Sequence, residues 1–132
     1  MPAQHSLRTW AAAFAALVVL SAPGASAQVK RTPVLTADVA TPGREAVVVR
    51  GEIGPGATAA RHTHPGDEIS YVMEGEVELL VDGEPPRVIK TGEAFVVPAG
   101  KIHGARNGSG TLVRFVGVYV VEKGKPLATP AP

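Results

Sequence analysis

The chain has 132 residues, 45% of them apolar and 19% charged, with 13 basic against 12 acidic side chains. That length sets one domain, the composition excludes a largely disordered chain, and the charge balance argues against nucleic acid or an anionic membrane surface as the partner. Cysteine is absent, which excludes a disulfide framework, a thiol nucleophile and a cysteine-linked lipid anchor.

Residues 1–27 read differently from the rest. A short polar start with Arg8 leads into an apolar run from Trp10 to Leu20, followed by SAPGASA, in which Ala25 and Ala27 flank Ser26. This is the layout of a secretory signal peptide with cleavage after Ala27, so the mature chain is expected to be periplasmic or secreted and free of the membrane. The apolar run is shorter than the roughly 20 residues a bilayer span requires, which ranks an uncleaved anchor second.

Residues 28–44, with Pro33, Pro42 and Gly43 and little alternation, predict a leader that wraps the domain edge or adds a short strand. The segment 45–53, EAVVVRGEI, is rich in valine and closes on Gly54-Pro55-Gly56, a strand followed by a turn. The next strand, 57–64, carries His62 and His64. Two residues apart on an extended strand, their imidazoles project to one face and can share one ion. Pro65-Gly66 then signals a turn, after which a strand doubling back aims Glu68 at the same point. Two imidazoles and a carboxylate form a facial ligand set for Fe(II), Mn(II) or another borderline divalent ion, with coordination positions left open.

Alternation along 68–73 puts Ser70 and Val72 on the face of Glu68 and leaves Ile69, Tyr71 and Met73 outside. Such an apolar patch needs a cover, and a second copy in a symmetric homodimer is the simplest one. Val77, Leu79 and Val81 point inward from 76–81, and Asp82-Gly83 turns the chain into 87–90. Ala94 to Val97 is a short apolar strand, His103 and Ala105 share a face, and Thr111 to Val121 is a long apolar strand. The end, 122–132, is a Pro-rich tail expected on the surface. About eight short strands and no helix predict an all-β barrel or double-sheet jelly roll over 45–121.

Two stretches carry a more specific signal: Gly56-x5-His62-x-His64-x3-Glu68-x6-Gly75 and Gly92-x5-Pro98-x-Gly100-x2-His103-x3-Asn107. In order and spacing they resemble the two signature motifs of the cupin family, and with their short linker, 76–91, they cover about half of residues 28–132. The resemblance implies a cupin-type β-barrel, or double-stranded jelly roll, in which His62, His64, Glu68 and His103 are metal ligands. It also implies that the motif glycines and Pro98 shape turns. Residue type alone does not identify the divalent metal ion, because affinity order favours Cu, Ni or Zn over Fe or Mn. Fe or Mn ranks first here, then Ni, Zn and Cu.

Around the ion the pattern predicts a lining of small groups, Ser70, Val72 and Ala105, beside a small-molecule ligand or substrate. No separate acid or base is evident, so Glu68, on leaving the ion, is the candidate catalytic proton acceptor. Tyr119, Arg114, Arg50 and Lys101 are candidates for the pocket wall or mouth, while Tyr71 is expected outside and Asn107 is expected to bond a turn. Ser70, a lone serine without a base, is not expected to act as a nucleophile. Two function classes follow. One is a small metal-dependent enzyme, dioxygenase-like first and isomerase or lyase second; the other is a periplasmic binding or sensing module that holds a metal or small ligand without turnover.

Overall fold

The computed structural model describes residues 28–132; the segment 1–27, and with it the expected signal peptide, lies outside the described residues. Ten strands follow in chain order: β1 (Val29–Asp38), β2 (Arg44–Ile53), β3 (Thr58–Thr63), β4 (Gly66–Glu74), β5 (Glu76–Val81), β6 (Arg87–Lys90), β7 (Ala94–Val97), β8 (His103–Arg106), β9 (Val113–Glu122) and β10 (Thr129–Pro130). They form two five-stranded antiparallel sheets, ordered β1-β2-β9-β4-β7 and β10-β3-β8-β5-β6. This is the all-β jelly roll that the strand pattern predicts.

Each inner face follows from the period-2 alternation of its strands. On β9, Val113, Phe115, Gly117, Tyr119 and Val121 are buried, and the residues between them are half-exposed. Ile53, Val72, Val77, Leu79, Ile89, Phe95, Val97, Val113 and Phe115 pack into the main core. Val49, Tyr119 and Val121 form a smaller cluster, against which Leu127 of the tail packs. The polar residues buried beside these clusters are few: His64, Glu68, Ser70, His103 and Asn107.

Both ends of the described segment are more ordered into sheet than the pattern suggests. Residues 29–38 pair with β2 along its whole length, with a bulge between Pro33 and Leu35. Proline is tolerated there because β1 is an edge strand, and a bulge re-aims the chain at that point. In the tail, Thr129 and Pro130 pair with Thr63 and His62, extending the second sheet. Gly75 links β4 to β5 with a positive φ of 77°, and an added Cβ would lie 2.8 Å from the Leu112 carbonyl oxygen, so the turn requires glycine. Asn107, wholly buried, bonds its turn: Nδ2 donates to the carbonyls of Ile53 (2.9 Å) and Thr111 (2.7 Å), and Oδ1 accepts from the Ser109 amide.

The outer face of the first sheet is apolar in register. Leu35 lies opposite Val48, Val48 opposite Val118, Val118 opposite Ile69 and Ile69 opposite Val96, a row that crosses all five strands. Ile69, Tyr71 and Met73 stand outside, as alternation requires, each at least 40% exposed.

Candidate metal centre

β3 delivers His62, the connection just past its end carries His64, β4 delivers Glu68 and β8 delivers His103, and backbone pairing sets their approach: His62 lies directly opposite His103 across the β3–β8 ladder. The four potential ligand atoms all fall within 4.8 Å of one another. Nε2 of His64 and Nε2 of His103 are each 3.0 Å from Oε2 of Glu68, and the two Nε2 atoms of His62 and His64 are 3.1 Å apart. With metal–ligand bonds of about 2.1 Å, adjacent ligands of an octahedral ion stand about 3.0 Å apart and those of a tetrahedral ion about 3.4 Å. The three short separations put these donors within reach of one ion, and all four lie within 4.8 Å of one another.

The far side of each ring decides what the near side offers. Nδ1 of His62 meets the Ala60 carbonyl at 2.7 Å, Nδ1 of His64 the Leu127 carbonyl at 2.6 Å, and Nδ1 of His103 the Lys101 carbonyl at 3.0 Å. A carbonyl only accepts, so Nδ1 carries the proton in all three neutral rings and each Nε2 turns a lone pair inward. Three inward lone pairs and a carboxylate repel unless protons or a cation lie between them. The donor set, with its tautomers fixed from behind, is therefore one a divalent ion fits.

Electrostatics follow from the same contacts. Burial alone would raise the Glu68 carboxyl, but in the ion-free site protons shared with the inward nitrogens of His103 and His64, and the Ser70 hydroxyl that donates at 2.7 Å to Oε1, outweigh it and hold it well below the usual carboxylate range. His103 is also penalised by burial, yet Glu68 and the Lys101 carbonyl raise it above its ordinary value. His62, lacking a carboxylate contact, is lowered by burial. Burial and the charge of Glu68 push the Tyr119 phenol far above its ordinary value, so it stays protonated at neutral pH.

The cavity beside these donors is small, about 30 Å³, and Arg31, Ile53, Phe95, Phe115 and Tyr119 help to line it. Ala105 lines it as expected. Ser70 and Val72 point inward but lie fully buried, Ser70 supporting Glu68 and Val72 in the main core, so the expected lining of small groups is corrected to one with large aromatic rings. Two inward glycines on neighbouring strands make room for those rings. A Cβ on Gly51 would lie 2.1 Å from the Phe115 ring, and one on Gly117 would lie 2.8 Å from the Tyr119 hydroxyl. Of the other candidates, Tyr119 reaches the cavity, with its ring 4.7 Å from that of His64. Arg50 and Lys101 are exposed and away from the cavity, and Arg114 is paired with Glu52 and Glu74 on the outer side. Arg31, which the sequence reading passed over inside the supposed leader, is at the wall; its signal would have been its register opposite inward-facing Gly51.

Similarity to known proteins agrees with this geometry. A stretch of 45 residues, 34% of this chain, is 40% identical to dimethylsulfoniopropionate lyase DddQ of Ruegeria pomeroyi, of which it covers 22%. The chain spans less than half the length of the curated relatives it matches. Among solved structures, an uncharacterized conserved protein with a double-stranded beta-helix domain from Klebsiella pneumoniae is 27% identical at a TM-score of 0.65, with 80% of this chain and 88% of that one covered. KdgF from Halomonas sp. is likewise 27% identical, at a TM-score of 0.59 over 73% of this chain and 81% of that one. Residues 49–121, more than half of the chain and the segment holding all four convergent side chains, match the cupin domain family. With two antiparallel sheets and both motifs on the strands that build the site, this chain belongs to the cupin family.

Proposed function

We propose that this protein is an exported metal-dependent enzyme that acts on a small organic molecule bound beside an ion held by His62, His64, Glu68 and His103. The observation that carries the reading is the set of three inward Nε2 lone pairs, each fixed by a backbone carbonyl behind it, gathered with the Glu68 carboxylate so that all four ligand atoms lie within 4.8 Å of one another. When bound, the ion would supply Lewis-acid or redox chemistry at open positions. The chain itself supplies proton chemistry. Glu68 is an ionised acceptor next to the cavity, and the Tyr119 phenol stays protonated and can donate there. An acceptor and a donor on one small cavity favour proton abstraction, as in a lyase or isomerase, over the dioxygenase-like reaction ranked first from sequence. A relative named as a lyase supports that order.

The same pair favours an enzyme over the binding or sensing module. The test uses protein loaded in turn with Fe(II), Mn(II) and Ni(II), a panel of small phenols, dicarbonyls and hydroxy acids, oxygen uptake, and deuterium uptake into substrate from D2O. Deuterium uptake that Glu68→Gln abolishes while retaining metal is the expected result. Oxygen uptake without deuterium uptake restores the dioxygenase-like reading, and neither signal with any compound leaves the binding module.

We also propose export through cleavage after Ala27, and self-association through the apolar row from Leu35 to Val96, with a second copy as the cover. Export is tested by the N-terminal residue of protein recovered from the periplasm.

A further inference from the structure

Among the described residues, Arg31 is the one lysine or arginine that lines the cavity beside the four donors. It sits on the edge strand β1, opposite Gly51, on the face that looks into the barrel. No carboxylate among the described residues lies within 4.0 Å of it, whereas Arg61 close by is held by Asp82 at 2.6 Å. Glu68 is the one acid on the cavity wall. A divalent ion beside one carboxylate leaves a net charge of about +1, and Arg31, exposed at the mouth, adds another. Such a site is short of an anion.

The shape says where that anion fits. The inner cavity, about 30 Å³, has room for one or two water-sized groups, since one such group needs about 10–15 Å³. An adjoining hollow of about 260 Å³ opens outward between β1, β3 and the tail, lined by Arg31, Ala60, Arg61, His62, Ala128 and Pro130. Arg31 and His62 belong to both spaces. A ligand therefore keeps its body in the outer hollow and extends only a donor atom or two inward, passing the guanidinium on the way.

We propose that Arg31 is the anion anchor of this site and that its ligand is a short carboxylate, paired with the guanidinium at the mouth while a second oxygen reaches towards His62, Glu68 and His103. A guanidinium offers a planar fork that matches a carboxylate with two parallel hydrogen bonds. A monoanion suits the site better than a phosphate dianion, because Arg61 is already neutralised by Asp82 and leaves a single free charge. The excess of positive charge and the second oxygen rest on the metal reading above; the guanidinium at the mouth, with no carboxylate partner among the described residues, does not.

The experiment is calorimetric titration with 2-hydroxybutanoate and with its uncharged amide, on metal-free and Co(II)-loaded protein. Wild type, Arg31→Gln and Arg31→Lys are compared, and the visible spectrum of cobalt is followed in parallel. Wild type is expected to prefer the acid, and Arg31→Gln to bind the acid about tenfold or more weakly while its affinity for the amide stays within about twofold. Arg31→Lys, which keeps the charge and loses the fork, should fall between them. In wild type alone, rising salt should weaken binding of the acid and spare the amide, which decides the matter even if a variant misfolds. If the protein takes up no cobalt, the metal reading fails, and the acid–amide difference in metal-free protein still decides the role of Arg31. Equal affinity of wild type for acid and amide, no binding of the acid, or Arg31→Gln matching wild type would each overturn the proposal.

Discussion

Gly51→Ala tests how the cavity wall is built. Gly51 on β2 lies opposite Phe115 on β9, and a Cβ there would lie 2.1, 2.2 and 2.7 Å from three atoms of the Phe115 ring. Carbon atoms in contact stand about 3.5–4.0 Å apart, so the ring must retreat by more than an ångström. It is 8% exposed and packed in the main core, where overfilling costs about 1–3 kcal/mol. In a domain of this size each kcal/mol lowers the melting temperature by about 4–8 °C, so a drop of about 4–24 °C is expected. Phe115→Val takes the ring away, and in that background Gly51→Ala should cost almost nothing. Urea unfolding of wild type, both single variants and the double variant measures the coupling, expected at about 1–3 kcal/mol. A neutral Gly51→Ala, or the same cost in both backgrounds, would refute the reasoning.

Other outcomes follow from the same contacts. Ion binding at pH 7 should release protons, chiefly from His103, whose affinity for a proton is raised, and should weaken as pH falls through the imidazole range; calorimetry in buffers of different ionisation enthalpy reads the count. In ion-free protein, Glu68 titrates below its unfolded value of about 4.5, so its contribution to stability is present above that pH and lost as pH falls below it. His103 acts in the opposite sense, stabilising fully below its unfolded value of 6.5 and losing that contribution as pH rises through its folded value, and His62, lowered by burial, partly offsets it. Urea unfolding at several pH values should show the acid loss as the larger change. Wild type should sediment as a dimer at micromolar concentration, and Val118→Lys or Ile69→Glu, in the centre of the apolar row, should sediment as monomer; monomeric wild type would remove the interface.

The centre was legible because its information is local. Two histidines at alternate positions and a carboxylate just past a turn need only strand geometry to converge, and His62, His64, Glu68 and His103 do converge. The tautomers were not legible, since the carbonyl behind His64 comes from Leu127, 63 residues away. Residues 28–44 hid a strand for a physical reason. An edge strand with both faces partly exposed has little need to alternate, so its register is set by β2, and Arg31 enters the site through that pairing alone. The wall was misjudged by size because inward direction does not fix depth. Ser70 and Val72 point in but sink below the cavity, while Phe95 and Phe115 arrive from other strands over space that Gly51 helps to clear.

The central claim, that one ion is held by four side chains from three strands and the link between two of them, is tested most directly by the metal content of protein purified from its own host, with His62→Ala, His64→Ala, His103→Ala and Glu68→Ala beside it. Wild type should carry close to one divalent ion per chain. Each histidine variant should lose affinity by more than the roughly 10- to 100-fold typical of removing an outer partner, with the strand content of the fold retained because the apolar core is separate. Metal content unchanged in all three histidine variants, or a wild type that takes up no divalent ion when supplied with one, would contradict the account.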